Sequence, residues 1–474
     1  MPNSLLLLAA CVQGFAPELS ALRSEAISRA REMQPELVAM HERIWGYAEL
    51  GLEEQRSSAE LQEFLRARGF SVDAGVAGMP TAFVASWGSG KPVIAILAEF
   101  DALPGLSQEV APERRPREEG GAGHACGHSV FGAASAGAAA AAKGVLERYG
   151  IPGTVRLYGT PAEETAIGKQ YMLLAGLFDD VDVVLSWHVR DRTFADYAYT
   201  KAVVSAKFRF HGLAAHASRE PEAGRSALDA VELMNVGANY LREHVREDAR
   251  IHYVITDGGG QPNVVPPRAE VWYYVRADRH ADVERYFERL KRIAEGAALM
   301  SDTSFEVRVE SDAHEVLPNR SLAELLDANL RLVGAPEFDE AERAFARGVQ
   351  RELDPRPEAP FAEGIDPLPE RPWQITSSTD IGDLSWRVPV GSISVATTAL
   401  GTPAHSWQWV ACTGSSIGAK GLGVAAAALA ASAVELARRP ETVAAAWSDF
   451  HAVRDPLDYV TLIPPGQQAP ASIR

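Results

Sequence analysis

The chain has 474 residues, of which 46% are apolar and 23% charged, with a formal net charge of -17. That length allows two or three domains around a sizeable buried core, and the acidic balance argues against nucleic acid or an anionic membrane surface as partner. Its cysteines, Cys11, Cys126 and Cys412, are too few and too scattered for a disulfide framework, which fits a reduced, cytoplasmic setting.

At the start, residues 5–10 and Cys11 resemble a short apolar segment ending in a bacterial lipobox, so an exported lipoprotein anchored through Cys11 is the alternative location. Against it, Met1-Pro2-Asn3-Ser4 brings no Lys or Arg, and the apolar run is short for a signal peptide. No stretch reaches the roughly 20 apolar residues of a membrane span. Residues 17–68 carry a helical pattern of charges among Leu, Ile and Ala. Short apolar runs bounded by turn residues follow at 93–97, 154–158, 181–187 and 392–400, with helical stretches at 131–149, 172–178 and 417–437 between and after them. Strands alternating with helices predict an α/β layer around a largely buried sheet.

The middle differs. Residues 203–211 alternate as a half-exposed strand, 227–244 form an amphipathic helix, 269–276 a strand, 282–299 a helix and 305–310 a strand. This βαβαβ order predicts a small α+β domain inserted into the larger one. The expected organisation is a catalytic domain over 17–203, an inserted lid domain over 204–314 and the rest of the catalytic domain over 315–474. Pro318-Asn319 opens a helical return, residues 353–372 are a Pro- and Glu-rich surface excursion, and 107–121 form a charged loop.

Chemistry-bearing residues gather where strands end. The run at 93–97 leads to Glu99 and Asp101, that at 154–158 to Glu163 and Glu164, that at 181–187 to His188, and that at 392–400 to His405. Open α/β sheets build their sites outside the carboxyl ends of strands. Between the first two runs lies Gly123-His124-Ala125-Cys126-Gly127-His128, a Gly-containing turn presenting thiol and imidazole ligands suited to divalent transition metals. Each residue has an ordinary reading too. His188 alone would be a hydrogen-bonded rim residue, Glu163-Glu164 a solvated turn, Asp101 a turn cap and Cys126 a small buried hydrophobe. Together they point to a metal site.

The segments AEFDALPGLSQ, GHACGHS, GTPAEET, SWHV, AAHAS, GRSALDAVELMN, PNVVPPRAEV, SSTDIGDLSW and GTPAHSW resemble the aminoacylase/carboxypeptidase family of dinuclear metallopeptidases. Within it they are similar to the amidohydrolase branch that contains hippurate and auxin-conjugate hydrolases. The likeness runs in order from about Glu18 to the C-terminal helix. It implies a mixed-sheet, zinc-peptidase-like catalytic domain interrupted by an α+β lid that also mediates homodimerisation. It further implies two divalent ions, Zn²⁺ or Mn²⁺ with Co²⁺ as an option. Cys126 would bridge them, His128 and His188 completing one site and Glu164 and His405 the other. By the same pattern Glu163 is the general base and Asp101 a carboxylate orienting the site. His216 is an imidazole reaching into the partner subunit's site to stabilise the oxyanion, and Asn263 and Arg276 bind substrate. For Arg276, an ordinary lid ion pair competes with that role.

Two positions depart from the family pattern: Ser129 stands where Asp commonly follows Cys-Gly-His, and Glu99 where Asp commonly precedes the DALP segment. The expected activity is hydrolysis, by metal-activated water, of the amide in N-acyl or N-aroyl amino acids, including p-aminobenzoyl-glutamate-like conjugates. A dipeptidase or carboxypeptidase acting on short peptides, or a non-catalytic half of a two-protein hydrolase with a related second subunit, is the alternative.

Overall fold

The structure, a computed structural model, describes residues 17–454 and 457–472, so Cys11 and the apolar segment before it lie outside the described residues. Leu19–Tyr47 (α1) and Gln55–Arg66 (α2) are followed by strands Ser71–Ala74 (β1), Phe83–Ser89 (β2) and Val93–Ala98 (β3). A long loop leads to His128–Tyr149 (α3), then Gly153–Gly159 (β4), Gly168–Leu174 (α4) and Val183–Arg190 (β5). These strands, with the short Phe194–Ala195 (β6) and the later Val390–Ala396, form a seven-stranded sheet. Ala198–Tyr199 (β7) then leads away from it.

The second sheet follows directly. Its strands are Ala202–His211 (β8), Arg250–Asp257 (β9), Arg268–Ala277 (β10) and Ser304–Ala313 (β11), with helices Ala227–Leu241 (α5) and His280–Ser301 (α6). The order β11-β8-β10-β9 is antiparallel throughout, the arrangement of a ferredoxin-like βαββαβ unit. The expected βαβαβ order therefore lacked one strand. β9 pairs only with β10 and leaves most of its residues exposed, so it has no buried apolar period to betray it.

The chain returns through Arg320–Val333 (α7) and Glu340–Val349 (α8), and Trp373–Gln374 (β12) pairs with β7. Then come Ile381–Ser385 (α9), Val390–Ala396 (β13), Trp407–Thr413 (α10), Ser416–Arg438 (α11) and Pro440–Arg454 (α12). The main sheet runs β1-β2-β4-β3-β5-β13-β6, and β4, β3, β5 and β13 are mutually parallel. β3 is buried along its whole length, as interior parallel strands covered on both faces are. From β3 the chain passes to β4 on one side, then returns to β5 on the other, opening a crevice at their carboxyl ends.

Helices α1, α3 and α11 pack together against this sheet. Small residues permit it: a methyl group at Gly137 of α3 would lie 2.3 Å from Leu37 Cδ1 of α1. The expectation of no span-like segment needs correcting here. α3 and α11 are long and apolar enough to cross a membrane by length and composition. Their most apolar stretches are 89% and 83% buried inside the fold, because each is a core helix.

Candidate active site

All the strand-end residues converge on one edge of the main sheet. β3 delivers Glu99 and Asp101, β4 delivers Glu163 and Glu164, and β13 leads through a loop to His405. His188 is placed differently from the expectation, since β5 runs on to Arg190 and the histidine lies inside the strand near its end. Its Nδ1 is fixed by the Val189 carbonyl oxygen at 2.8 Å, and Nε2 lies 3.6 Å from Cys126 Sγ.

The Cys126-Gly127-His128 turn depends on its glycine. Gly127 has φ +78, and a Cβ there would come within 2.7 Å of Val189 Cγ2. No other residue type fits both the backbone and the space. His128 then opens α3 fully buried, its Nδ1 2.7 Å from Asp101 Oδ1. The other Asp101 oxygen accepts the Glu164 backbone N–H at 3.0 Å, so one carboxylate aligns residues from two loops. His405 reaches the same point from the opposite direction. Its backbone N–H donates to Ala125 O at 3.1 Å, and its Nε2 lies 3.4 Å from Glu164 Oε2.

Three triplets with ligand atoms within 4.8 Å of one another result at this edge: Cys126–His128–His188 and Cys126–Glu164–His405, which share Cys126, and Glu99–His128–Glu163. Left-handed backbone at Ala162 (φ 55), Ala166 (φ 56) and His405 (φ 56) concentrates strain around them. Such conformations cost of order 1–3 kcal/mol each and persist only where surrounding structure holds them. Glu54 helps at Ala162 by accepting its backbone N–H at 2.9 Å.

Without a cation these groups are poorly matched to burial. Burial, with Glu164 nearby, pushes the Cys126 thiol up to about 12. Burial and the carboxylates of Asp101, Glu163 and Glu99 hold the Glu164 carboxyl well above its usual range. Burial and the positive charges of Arg190 and His128 push His188 well below its usual value. His128 Nε2 and Glu164 Oε1 are buried with no hydrogen-bond partner. A thiol, imidazoles and a carboxyl group facing one another without partners fit divalent cations, which stabilise the deprotonated ligands and supply the missing partners.

Glu163 stands beside the cluster, its Oε2 3.7 Å from His128 Nε2. It lines a cavity with Cys126, Glu164, His188 and His405, into which Arg276 also projects from β10. Arg276 donates to Ser378 Oγ at 2.9 Å and forms no carboxylate pair among the described residues, so the lid ion pair that competed with a substrate role is not present. His216 and Asn263 lie elsewhere, exposed on neighbouring loops of the second sheet and not lining this cavity. His216 Nδ1 accepts the backbone N–H groups of Ser218 and Arg219, both at 3.3 Å, and Ala217 donates to Asn263 O at 3.0 Å.

Some participants were invisible in the sequence. Lys169 on α4 is fully buried between Asp380 (2.6 Å) and Glu99 (2.8 Å), and Glu99 Oε2 lies 3.2 Å from His128 Nε2. An isolated lysine in a short apolar helix was its one signal. His124, the other imidazole of the cysteine segment, turns away: it bonds the Ile44 carbonyl oxygen at 3.1 Å, and burial pushes its pKa down to about 3. The charged loop 107–121 contributes nothing to the cavity lining among the described residues.

Residues 95–471 match the profile of Peptidase family M20/M25/M40. The chain belongs to this family. It is 40% identical over 445 residues to one of the subunits of p-aminobenzoyl-glutamate hydrolase from Escherichia coli, an alignment covering 88% of this chain and 92% of the relative. It is 32% identical to the mouse Xaa-Arg dipeptidase over 67% of this chain and 73% of that one. Among solved structures, the fold matches an aminobenzoyl-glutamate utilization protein from Klebsiella pneumoniae with TM-score 0.61 and 19% identity, covering 86% of this chain and 97% of that one. The M20 chain is thus a metal-dependent hydrolase of amide bonds, with the mixed α/β fold of that family.

Proposed function

We propose that this chain hydrolyses the amide linking an acyl or aroyl group to an amino acid, with p-aminobenzoyl-glutamate-like conjugates as leading substrates. The observation that carries the reading is Glu163 placed beside the shared Cys126 cluster, in a cavity that also holds the unpaired Arg276. The 40% identity to a component of a p-aminobenzoyl-glutamate hydrolase supports the substrate class.

In this reading Cys126, His128 and His188 hold one divalent ion, and Cys126, Glu164 and His405 a second, as Zn²⁺ or Mn²⁺ with Co²⁺ as a substitute. Bound there, such ions supply acidification of water and polarisation of the amide carbonyl. Glu163 takes the proton from the attacking water and returns it to the leaving amine, a positioned acid–base role worth about 10²–10⁴-fold. Asp101 fixes the His128 tautomer by accepting from Nδ1, which keeps Nε2 as the donor atom facing the cluster. Arg276 grips the substrate carboxylate through its planar fork.

His216 and Asn263 do not line their own chain's cavity, so in this reading they serve the site of a second copy joined through the lid over 204–314. A homodimer is the simplest assembly. Pairing with a related but different chain is the alternative, since the E. coli hydrolase has two distinct subunits and this chain is similar to both. The cytoplasm is the proposed location. A dipeptidase is the second reading, favoured by the likeness to Xaa-Arg dipeptidases. The test is turnover by the purified single chain, loaded with one defined metal at a time, on N-aroyl amino acids and dipeptides. Cleavage of aroyl-glutamates is expected. Turnover that ignores chelators, or activity confined to unblocked dipeptides, would sink the reading.

A further inference from the structure

Glu99 follows β3 directly and is fully buried, and it does not line the cavity that holds Glu163 and Arg276. Lys169 Nζ holds its Oε1 at 2.8 Å. Asp380 in turn accepts from Lys169 Nζ at 2.6 Å and from the Lys169 backbone N–H at 2.9 Å. This chain of contacts pins one carboxylate oxygen and leaves the other, Oε2, 3.2 Å from His128 Nε2.

That close pair is not a hydrogen bond, for Oε2 and Nε2 are both buried with no hydrogen-bond partner. Asp101 accepts from Nδ1 on the other side of the ring, so Nε2 presents a lone pair, and Oε2 presents another. Two lone pairs held 3.2 Å apart and out of water are costly until a cation stands between them. The spacing suits two ligands of one ion. With metal–ligand distances of about 2.0–2.2 Å, neighbouring ligand atoms lie about 3.0–3.5 Å apart. Glu99, His128 and Glu163 also bring ligand atoms within 4.8 Å of one another, so the carboxylate reaches the cluster as well as its histidine.

We infer that Glu99 is a further ligand of the ion held by Cys126, His128 and His188, and that it narrows the preference of that position for Zn²⁺ over Mn²⁺. The inference rests on the two-ion hydrolase reading above and adds a ligand within it. A catalytic zinc keeps three protein ligands and one open position. A fourth protein ligand beside an open position calls for higher coordination, and a carboxylate oxygen suits Mn²⁺ better than thiolate and imidazole do.

The test is metal competition. The full chain and its Glu99→Asp and Glu99→Gln variants are equilibrated with Mn²⁺ and Zn²⁺ at defined free concentrations, and the bound ions are counted. Glu99→Asp keeps the charge facing Lys169 but withdraws the oxygens by one C–C bond, roughly 1.5 Å. Its Mn²⁺ affinity should fall by about tenfold or more, the scale of contacts around a metal ligand, and its Zn²⁺ affinity by clearly less. Glu99→Gln, with a neutral oxygen at full length, should shift the ratio the same way by a smaller factor. Water-proton relaxation of the Mn²⁺-loaded chain is a readout that a merely supporting role would not move, and it should rise in Glu99→Asp as a water takes the vacated position. Equal weakening of both metals with no added water would mean that Glu99 only braces His128, and would overturn the inference. An unchanged ratio would overturn it too. Either result leaves the hydrolase reading standing, whereas a wild type that binds no ion sinks both.

Discussion

The carboxyl edge of the main sheet and the loops of the second sheet both carry histidines, but they use them in opposite ways. At the main sheet, His128 is fully buried, held by Asp101 at 2.7 Å, and opens a helix whose N-cap tolerates only glycine. On the second sheet, His216 is exposed, its ring held by the backbone N–H groups of Ser218 and Arg219 and by the Ser218 hydroxyl. The first arrangement is preorganised, with its ligand-type residues all supplied by one chain. The second presents a side chain that does not line its own chain's cavity. Preorganisation against developing charge is what low-dielectric sites supply, so the chemistry belongs to the sheet edge, and the proposed role of His216 is to complete that site in a second copy.

Several experiments break or sharpen that contrast. The largest effect should come from stripping divalent metal, which abolishes turnover; readdition restores it, read by activity alongside metal analysis. Glu163→Gln should keep its metal and lose about 10²–10⁴ in kcat, whereas Glu164→Gln should lose metal itself. His216→Ala should cost about 10²–10³ in kcat, the scale of one oxyanion donor. Mixing the inactive His216→Ala and Glu163→Gln chains should then recover activity through hybrid dimers, because one of the two sites regains both groups. No recovery in verified hybrids would confine the site to a single chain. Asp101→Asn should weaken metal binding by about 10–100-fold, as loss of a partner behind a histidine ligand does.

The smallest effect concerns Glu54, which burial and the nearby Asp101 push from its ordinary 4.5 up to about 8. The folded state holds this proton more tightly than the unfolded chain, so Glu54 costs stability progressively as pH rises from about 4.5 to 8. Glu54→Gln should flatten that part of the thermal profile, a change on the order of a few degrees in Tm.

Much of the buried region was legible in the sequence, because its strands are short apolar runs and each is followed by a ligand-type residue. The exceptions have physical causes. β5 was cut short at Trp187, because the polar residues His188 and Arg190 that continue it read as a strand end although both still belong to the ladder. β9 was missed because an exposed edge strand needs no apolar period. Lys169 left only the faint signal of an isolated lysine in a short apolar helix. Its pairing with Glu99 and Asp380 spans three distant segments, and only the fold shows that the substituted Glu99 has a buried cation to meet.

The central claim is that Cys126 is shared by two cation sites beside an independent base. Metal content per purified chain, measured for the wild type, Cys126→Ala and Glu163→Gln after identical loading, tests it directly. The account predicts two ions in the wild type and in the inactive Glu163→Gln, and a clear deficit in Cys126→Ala. A Cys126→Ala protein that keeps two ions and full activity would contradict it.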